Sequence, residues 1–119
     1  MPLDPRAKQL DDRDRLRHML EAAQDAVAFT QGRTRADLDR DRMLFHALVH
    51  CVQVIGEAAA RTSEEQRQRI PMLPWPKMVG MRHILVHSYF EIDADTLWRV
   101  VAEDFPVLIQ QLETALANL

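Results

Sequence analysis

The stretch from Met43 to Ala59 limits the fold most tightly. Met43, Leu44, Ala47, Leu48, Cys51, Val52, Val54, Ile55, Ala58 and Ala59 recur every three or four positions, which is the period of an α-helix and not the alternation of a strand. The stripe is wide, and it predicts a helix from about Asp37 to Arg61 with one broad buried face. Gly56 sits inside it. An internal glycine costs a helix about 1 kcal/mol against alanine, so a close helix–helix approach is expected there. Ile55-Gly56-Glu57-Ala58-Ala59 sets a carboxylate beside the apolar face. Two readings of Glu57 stay open: a partly buried partner for an arginine, and a plain surface residue.

The same period appears twice more. Leu16, Met19, Leu20, Ala23, Val27 and Thr30 predict a helix from about Asp11 to Gln31, with Asp11 and Asp12 at its positive end and Gly32 as its stop. Leu97, Trp98, Val100, Val101, Phe105, Leu108, Ile109, Leu112, Ala115 and Leu116 predict a last helix capped by Asp93 or Asp95, which Pro106 should kink or divide. Residues 1–10 carry two prolines and no apolar period and read as a loose lead-in. Arg33 to Asp41 is a charged connector, read as a solvated loop and helix start, with a basic rim toward a nucleic-acid backbone as the other reading. Ser63 followed by Glu64, Glu65 and Gln66 marks a helix N-cap, with Gln66 placed for a capping box and the short helix ending near Arg69.

Three prolines within Pro71-Met72-Leu73-Pro74-Trp75-Pro76 exclude helix interior and central strand alike. This is a stiff loop that Trp75 docks onto the core. Pro76 suits the first position of the next helix, which carries Met78, Val79, Met81, Arg82, Ile84, Leu85 and Val86 and ends near His87 to Tyr89. No strand signal is found, and the 119 residues contain only 3 Gly. The expectation is an all-α fold, an antiparallel bundle of four long helices plus a short one, formed by a single domain over residues 11–119.

Charge and composition narrow the function classes. A formal net charge of −3 excludes a chain that is basic as a whole, so a nucleic-acid role needs a local basic patch. Arg33, Arg35, Arg40, Arg42, Arg61, Arg67 and Arg69 are the candidates for one. The single cysteine, Cys51, excludes an intrachain disulfide and a cysteine-rich zinc site. The start of the chain shows no signal-peptide core and the apolar runs are short, so no membrane association and a cytoplasmic location are expected.

The chemistry gathers in Gly80-Met81-Arg82-His83-Ile84-Leu85-Val86-His87-Ser88-Tyr89, whose polar letters read R-x-x-x-x-H-x-Y. Imidazole titrates near neutrality and can take a proton from a ribose 2′-hydroxyl or give one to a leaving oxygen. Guanidinium holds a phosphate by paired hydrogen bonds. Arg82 and His87 are therefore a sufficient minimal kit for RNA cleavage without a metal ion. Spacing does not single out this chemistry. Five residues apart is about 140° on a regular helix, so the two do not share a face unless His87 lies at a helix end or a second copy completes the site. His83 and His87, four apart, do share one.

These residues resemble the signature of the HepT-like ribonuclease toxins of the HEPN superfamily. The resemblance extends to Ile55-Gly56-Glu57-Ala58-Ala59, Pro74-Trp75, Gly80-Met81-Arg82 and His87-Ser88-Tyr89-Phe90-Glu91-Ile92-Asp93 in that family's order, over roughly residues 12–112. It implies a HEPN-like helical homodimer that acts as the toxin of a toxin–antitoxin system, an endoribonuclease (a hydrolase of RNA, with no DNA expected) needing no metal or other cofactor. It implies Arg82 and His87 as the catalytic pair at a two-fold cleft. It also implies an MntA-like minimal nucleotidyltransferase antitoxin that binds ATP and transfers AMP to the motif tyrosine, Tyr89. The position after the arginine, polar and often Asn in that family, is His83 here, a candidate second proton-transfer group.

Two other readings compete. His46 and His50 repeat the spacing of His83 and His87, and two such pairs could form a four-histidine metal site. No carboxylate sits at a matching offset, and no metal site is assigned. The other is a non-catalytic HEPN-type interaction module that binds a nucleotidyltransferase partner, which the acidic net charge favours.

Overall fold

The apolar stripe of the long central helix is buried against two neighbours, and the rest of the bundle is arranged around it. The structure, a computed structural model, describes residues 5–86 and 93–119, with side chains described at 12–81, 83 and 93–119. In chain order the elements are α1 (Pro5–Phe29), α2 (Asp37–Arg40), α3 (Arg42–Arg61), α4 (Glu64–Arg69), α5 (Trp75–Val86) and α6 (Ala94–Arg99), then a π-helical turn (Val100–Asp104) that leads into α7 (Phe105–Ala117). The described residues contain no strand, so the fold is the all-α antiparallel bundle that the periodicity predicts. α3 packs against both α1 and α5, and α7 packs against α1.

That double packing explains the width of the α3 stripe. Leu48, Val52 and Ile55 are completely buried, and Val49, Cys51 and Ala59 extend the buried surface around the helix. A fully buried aliphatic side chain contributes roughly 1.5–3 kcal/mol. By length and composition α3 is long and apolar enough to cross a membrane, but its apolar face is occupied by the bundle. Met43, which the spacing places in the stripe, is instead 84% exposed. It stands on the first turn of α3, while Leu44 beside it turns inward. Burial pushes the Cys51 thiol up to about 11, with the nearby Asp25 charge adding to the effect, so this thiol is protonated at neutral pH.

Several helix ends differ from the sequence expectation for identifiable reasons. α1 begins at Pro5, ahead of the expected start at Asp11, and ends at Phe29. Gly32 follows at φ 71°, a left-handed conformation open to glycine and strained for other residues. The helix expected from Asp37 is broken at Asp41. This residue is extended (φ −115°, ψ 97°), and its carboxylate accepts from the Leu44 N–H at 3.1 Å as the N-cap of α3. Arg33 also donates to Asp41 at 2.7 Å, so the connector is tied back onto the cap it precedes.

The last helix carries the expected effect of Pro106. Proline removes an N–H and crowds the preceding turn. The chain meets this by widening over Val100–Asp104, after which Pro106 lies in the first turn of α7. Asp93 is the cap of α6, accepting from the Asp95 and Thr96 N–H groups. Ser63 caps α4 by accepting from the Gln66 N–H at 3.1 Å. Trp75 docks the proline loop as expected. It is 7% exposed, and its Nε1 donates to the Ile70 carbonyl at 2.9 Å.

Asp12 has a larger role than its position in α1 suggests. Its carboxylate is buried and accepts from Ser63 Oγ at 2.8 Å and from Arg15 at 3.1 Å. One carboxylate thereby joins α1 to the cap of α4. Hydrogen bonds to a charged group contribute about 1.5–3 kcal/mol each, so Asp12→Ala should lower stability in urea titration by that order, and Asp12→Asn by less.

The Arg33–Asp41 contact predicts a pH effect. The Arg33 guanidinium, then the Leu44 amide, hold the Asp41 carboxyl below the usual carboxylate range. A depressed folded-state pKa gives stability that is present above the unfolded value of about 3.9 and is lost as pH falls through the folded value. Thermal melts from pH 6 down to pH 3 should show this loss in the parent chain and less of it in Asp41→Asn.

Candidate functional site

The motif helix α5 is fixed from below by apolar residues and at its start by charge. Trp75, Met78 and Met81 are buried, at the three-residue spacing that keeps one face of α5 on the core. Lys77 donates to Asp104 at 2.9 Å, which ties the first turn of α5 to the π turn. Arg82 and His83 follow Met81 in the final turns of α5, and His83 is exposed. The Arg82 side chain, His87 and Tyr89 lie outside the described residues. The pairing of Arg82 with His87 and the face shared by His83 and His87 therefore remain expectations of the sequence.

Beyond the motif the chain is tied down again. Arg35 donates to Asp95 at 2.6 Å and to Asp39 at 3.1 Å, which fastens the first turn of α6 to the α1–α3 connector. The Thr96 hydroxyl and amide hold the Asp93 carboxyl below its usual range. Both ends of the segment 87–92 thus join helices with fixed positions.

The arginines read as a possible positive rim do not remain a free set. Arg33 pairs with Asp37 and Asp41, Arg35 with Asp39 and Asp95, and Arg69 with Glu65. Arg67 is turned inward. It donates to the Ala59 and Ala60 carbonyls at 2.8 and 3.2 Å, satisfying the last turn of α3, and its guanidinium lies 5.8 Å from the Trp75 ring centre. Arg40, Arg42 and Arg61 are exposed.

Hollows on the described surface include a groove and a smaller depression. A groove of about 680 Å³ runs between α4 and α5 from Glu64 and Gln68 past Trp75 and Val79 to His83. A smaller hollow of about 380 Å³ between α1 and α3 is lined by Asp14, Arg15, His18, Glu57 and Arg61. Glu57 is exposed there, the surface alternative of its two readings. His46 and His50 are exposed on α3. Among the described residues no three His, Cys, Asp or Glu side chains form a group that could hold a metal ion. Sequence reasoning missed the groove and the inward turn of Arg67. The stiff proline loop between α4 and α5 was the available signal, since Pro71 and Leu73 line the groove.

With this geometry in place, comparison with known proteins assigns the family. The family model described as "Ribonuclease HepT-like" matches residues 19–115. A protein of Methanocaldococcus jannaschii named a "putative RNase" is 36% identical over 95 residues, covering 80% of this chain and 87% of that one. A "probable ribonuclease HepT" of Thermococcus cleftensis is 32% identical over 101 residues, covering 85% of this chain and 92% of that one. A "putative RNase" of Caldanaerobacter subterraneus subsp. tengcongensis is 29% identical over 101 residues, covering 85% and 90%. No solved structure matches the chain significantly. The helical bundle, the ordered sequence blocks and the family match over most of the chain agree: this chain belongs to the HepT-like ribonuclease family.

Proposed function

We propose that this protein is the toxin of a toxin–antitoxin system, a metal-independent endoribonuclease that acts as a cytoplasmic homodimer. The observation that carries the reading is the family match over residues 19–115, which contains Arg82, His87 and Tyr89 in their motif order. The Arg–His kit is chemically sufficient for the reaction, and α5 supports Arg82 on a helix whose buried face is well packed.

The reaction is an attack by a ribose 2′-hydroxyl on the adjacent phosphate. The 2′-oxygen–phosphorus bond forms, the bond to the 5′-oxygen breaks, and a proton moves from the one oxygen to the other. An imidazole of His87 takes the first proton. In a two-fold cleft the imidazole of the second copy can deliver a proton to the leaving oxygen. Arg82 balances the charge that develops on the phosphorane. His83 follows Arg82 directly and is a further proton-transfer candidate.

The partner in this reading is an MntA-like nucleotidyltransferase antitoxin that uses ATP to place AMP on Tyr89 and releases pyrophosphate. A phosphoryl group two positions after His87 would bring a bulky anion to the cleavage pair and repel RNA phosphates.

The test is induced expression of the parent, Arg82→Ala and His87→Ala at matched soluble levels. Removing a positioned acid–base group costs about 10²–10⁴ in rate, so the parent should arrest growth and both variants should not. Equal arrest by all three would overturn the catalytic assignment, and growth unaffected by any of them would favour the binding-module reading.

A further inference from the structure

The groove between α4 and α5 has features that the proposed cleavage chemistry does not use. Its volume of about 680 Å³ lies within the usual range of roughly 300–1,000 Å³ for small-molecule sites, ample for a nucleobase and its sugar. Leu73, Trp75 and Val79 give it apolar walls, and Glu64 and Gln68 supply acceptor and donor groups at one end. The exposed rings of Pro71 and Pro76 stand at its rim. The Arg67 guanidinium lies 5.8 Å from the Trp75 ring centre and forms no ion pair among the described residues. Its Nε is buried without a hydrogen-bond partner among those residues. Leu73 and Trp75 form the buried floor, so the surface open to a base is Val79, the two proline rings and the Arg67 side chain, with amide and carboxyl groups at one end for hydrogen bonds to the base edge.

Position adds to this. Pro76, Gly80 and His83 follow one another at helical spacing along the groove side of α5, and His83 is next to Arg82 in sequence. The groove therefore runs toward the motif end of α5. The groove has room for a side chain at Gly80, where a Cβ meets no described atom within 4 Å. Glycine costs a helix interior about 1 kcal/mol against alanine, and no described atom crowds the position.

We infer that this groove is a subsite for a nucleobase of single-stranded RNA flanking the scissile phosphate. The inference rests on the reading of Arg82 and His87 as the cleavage pair. Arg67 is a positioning residue in it, holding the Trp75 wall, and Gly80 sets the space available.

The test uses the full chain. Gly80→Leu places a side chain in the groove and favours the helix, with Gly80→Ala as the folding control. Loss of one base-stacking contact is worth about tenfold, so Gly80→Leu should raise KM for a single-stranded oligoribonucleotide by about that factor, with kcat much less affected. As a second readout, an oligoribonucleotide carrying 4-thiouridine is photocrosslinked to His87→Ala protein. Adducts should map to the tryptic segment 70–77, which holds Pro71, Leu73 and Trp75. A parent that cleaves RNA, combined with an unchanged KM in Gly80→Leu or adducts found only elsewhere, overturns this inference alone. A parent that cleaves no RNA overturns it together with the proposed function. A Gly80→Leu protein that cleaves normally but escapes neutralisation by a nucleotidyltransferase would make the groove a protein-docking surface, which also contradicts it.

Discussion

Burial of the α3 stripe is the interaction on which the rest of the structure depends. α3 is covered by α1 and by α5, and each cover serves a different end. α1 extends the core outward to α7. α5 carries Arg82 on a helix that Trp75, Met78 and Met81 lock to the core. A motif arginine on a short helix needs such support, because misplacement by about 1 Å can cost 10²-fold in rate. The apolar contact of α5 with α3 is thus both a folding element and the mount of the candidate site.

Charge is used mainly to hold connections. Asp12 joins α1 to the cap of α4, Arg33 joins the connector to the cap of α3, Arg35 joins it to α6, and Lys77 joins α5 to the π turn. These ties take up arginines that could otherwise have faced RNA phosphates. With a net charge of −3, the chain as a whole is not a phosphate-neutralising surface. Recognition through base stacking in a groove is one way such a protein can compensate.

The fold was legible wherever one period ran long. The stripes of α1, α3 and α7, the Ser63 and Asp93 caps, the docked Trp75 and the disturbance before Pro106 all follow from local rules. The break at Asp41 was not legible, because α2 and α3 share one helix-like pattern and only the capping carboxylate, held by Arg33, separates them. Met43 failed because it lies on the side of α3 that also exposes His46 and His50, turned away from the arc of Leu44, Leu48 and Cys51. The groove and the inward Arg67 depend on how α4 and α5 diverge, which no local pattern specifies. For the site, the sequence carries Arg82, His87 and Tyr89 as letters of a motif. Bringing them together is a matter of tertiary placement, which periodicity does not express.

The central claim is that a ribose 2′-hydroxyl is the nucleophile and that no metal takes part. The most direct test is the chemistry of the ends left on a defined oligoribonucleotide after incubation with purified protein in excess EDTA. The account predicts cleavage under these conditions, with 2′,3′-cyclic phosphate on one fragment and 5′-hydroxyl on the other. Cleavage that stops in EDTA, or fragments ending in 3′-hydroxyl and 5′-phosphate, would contradict it.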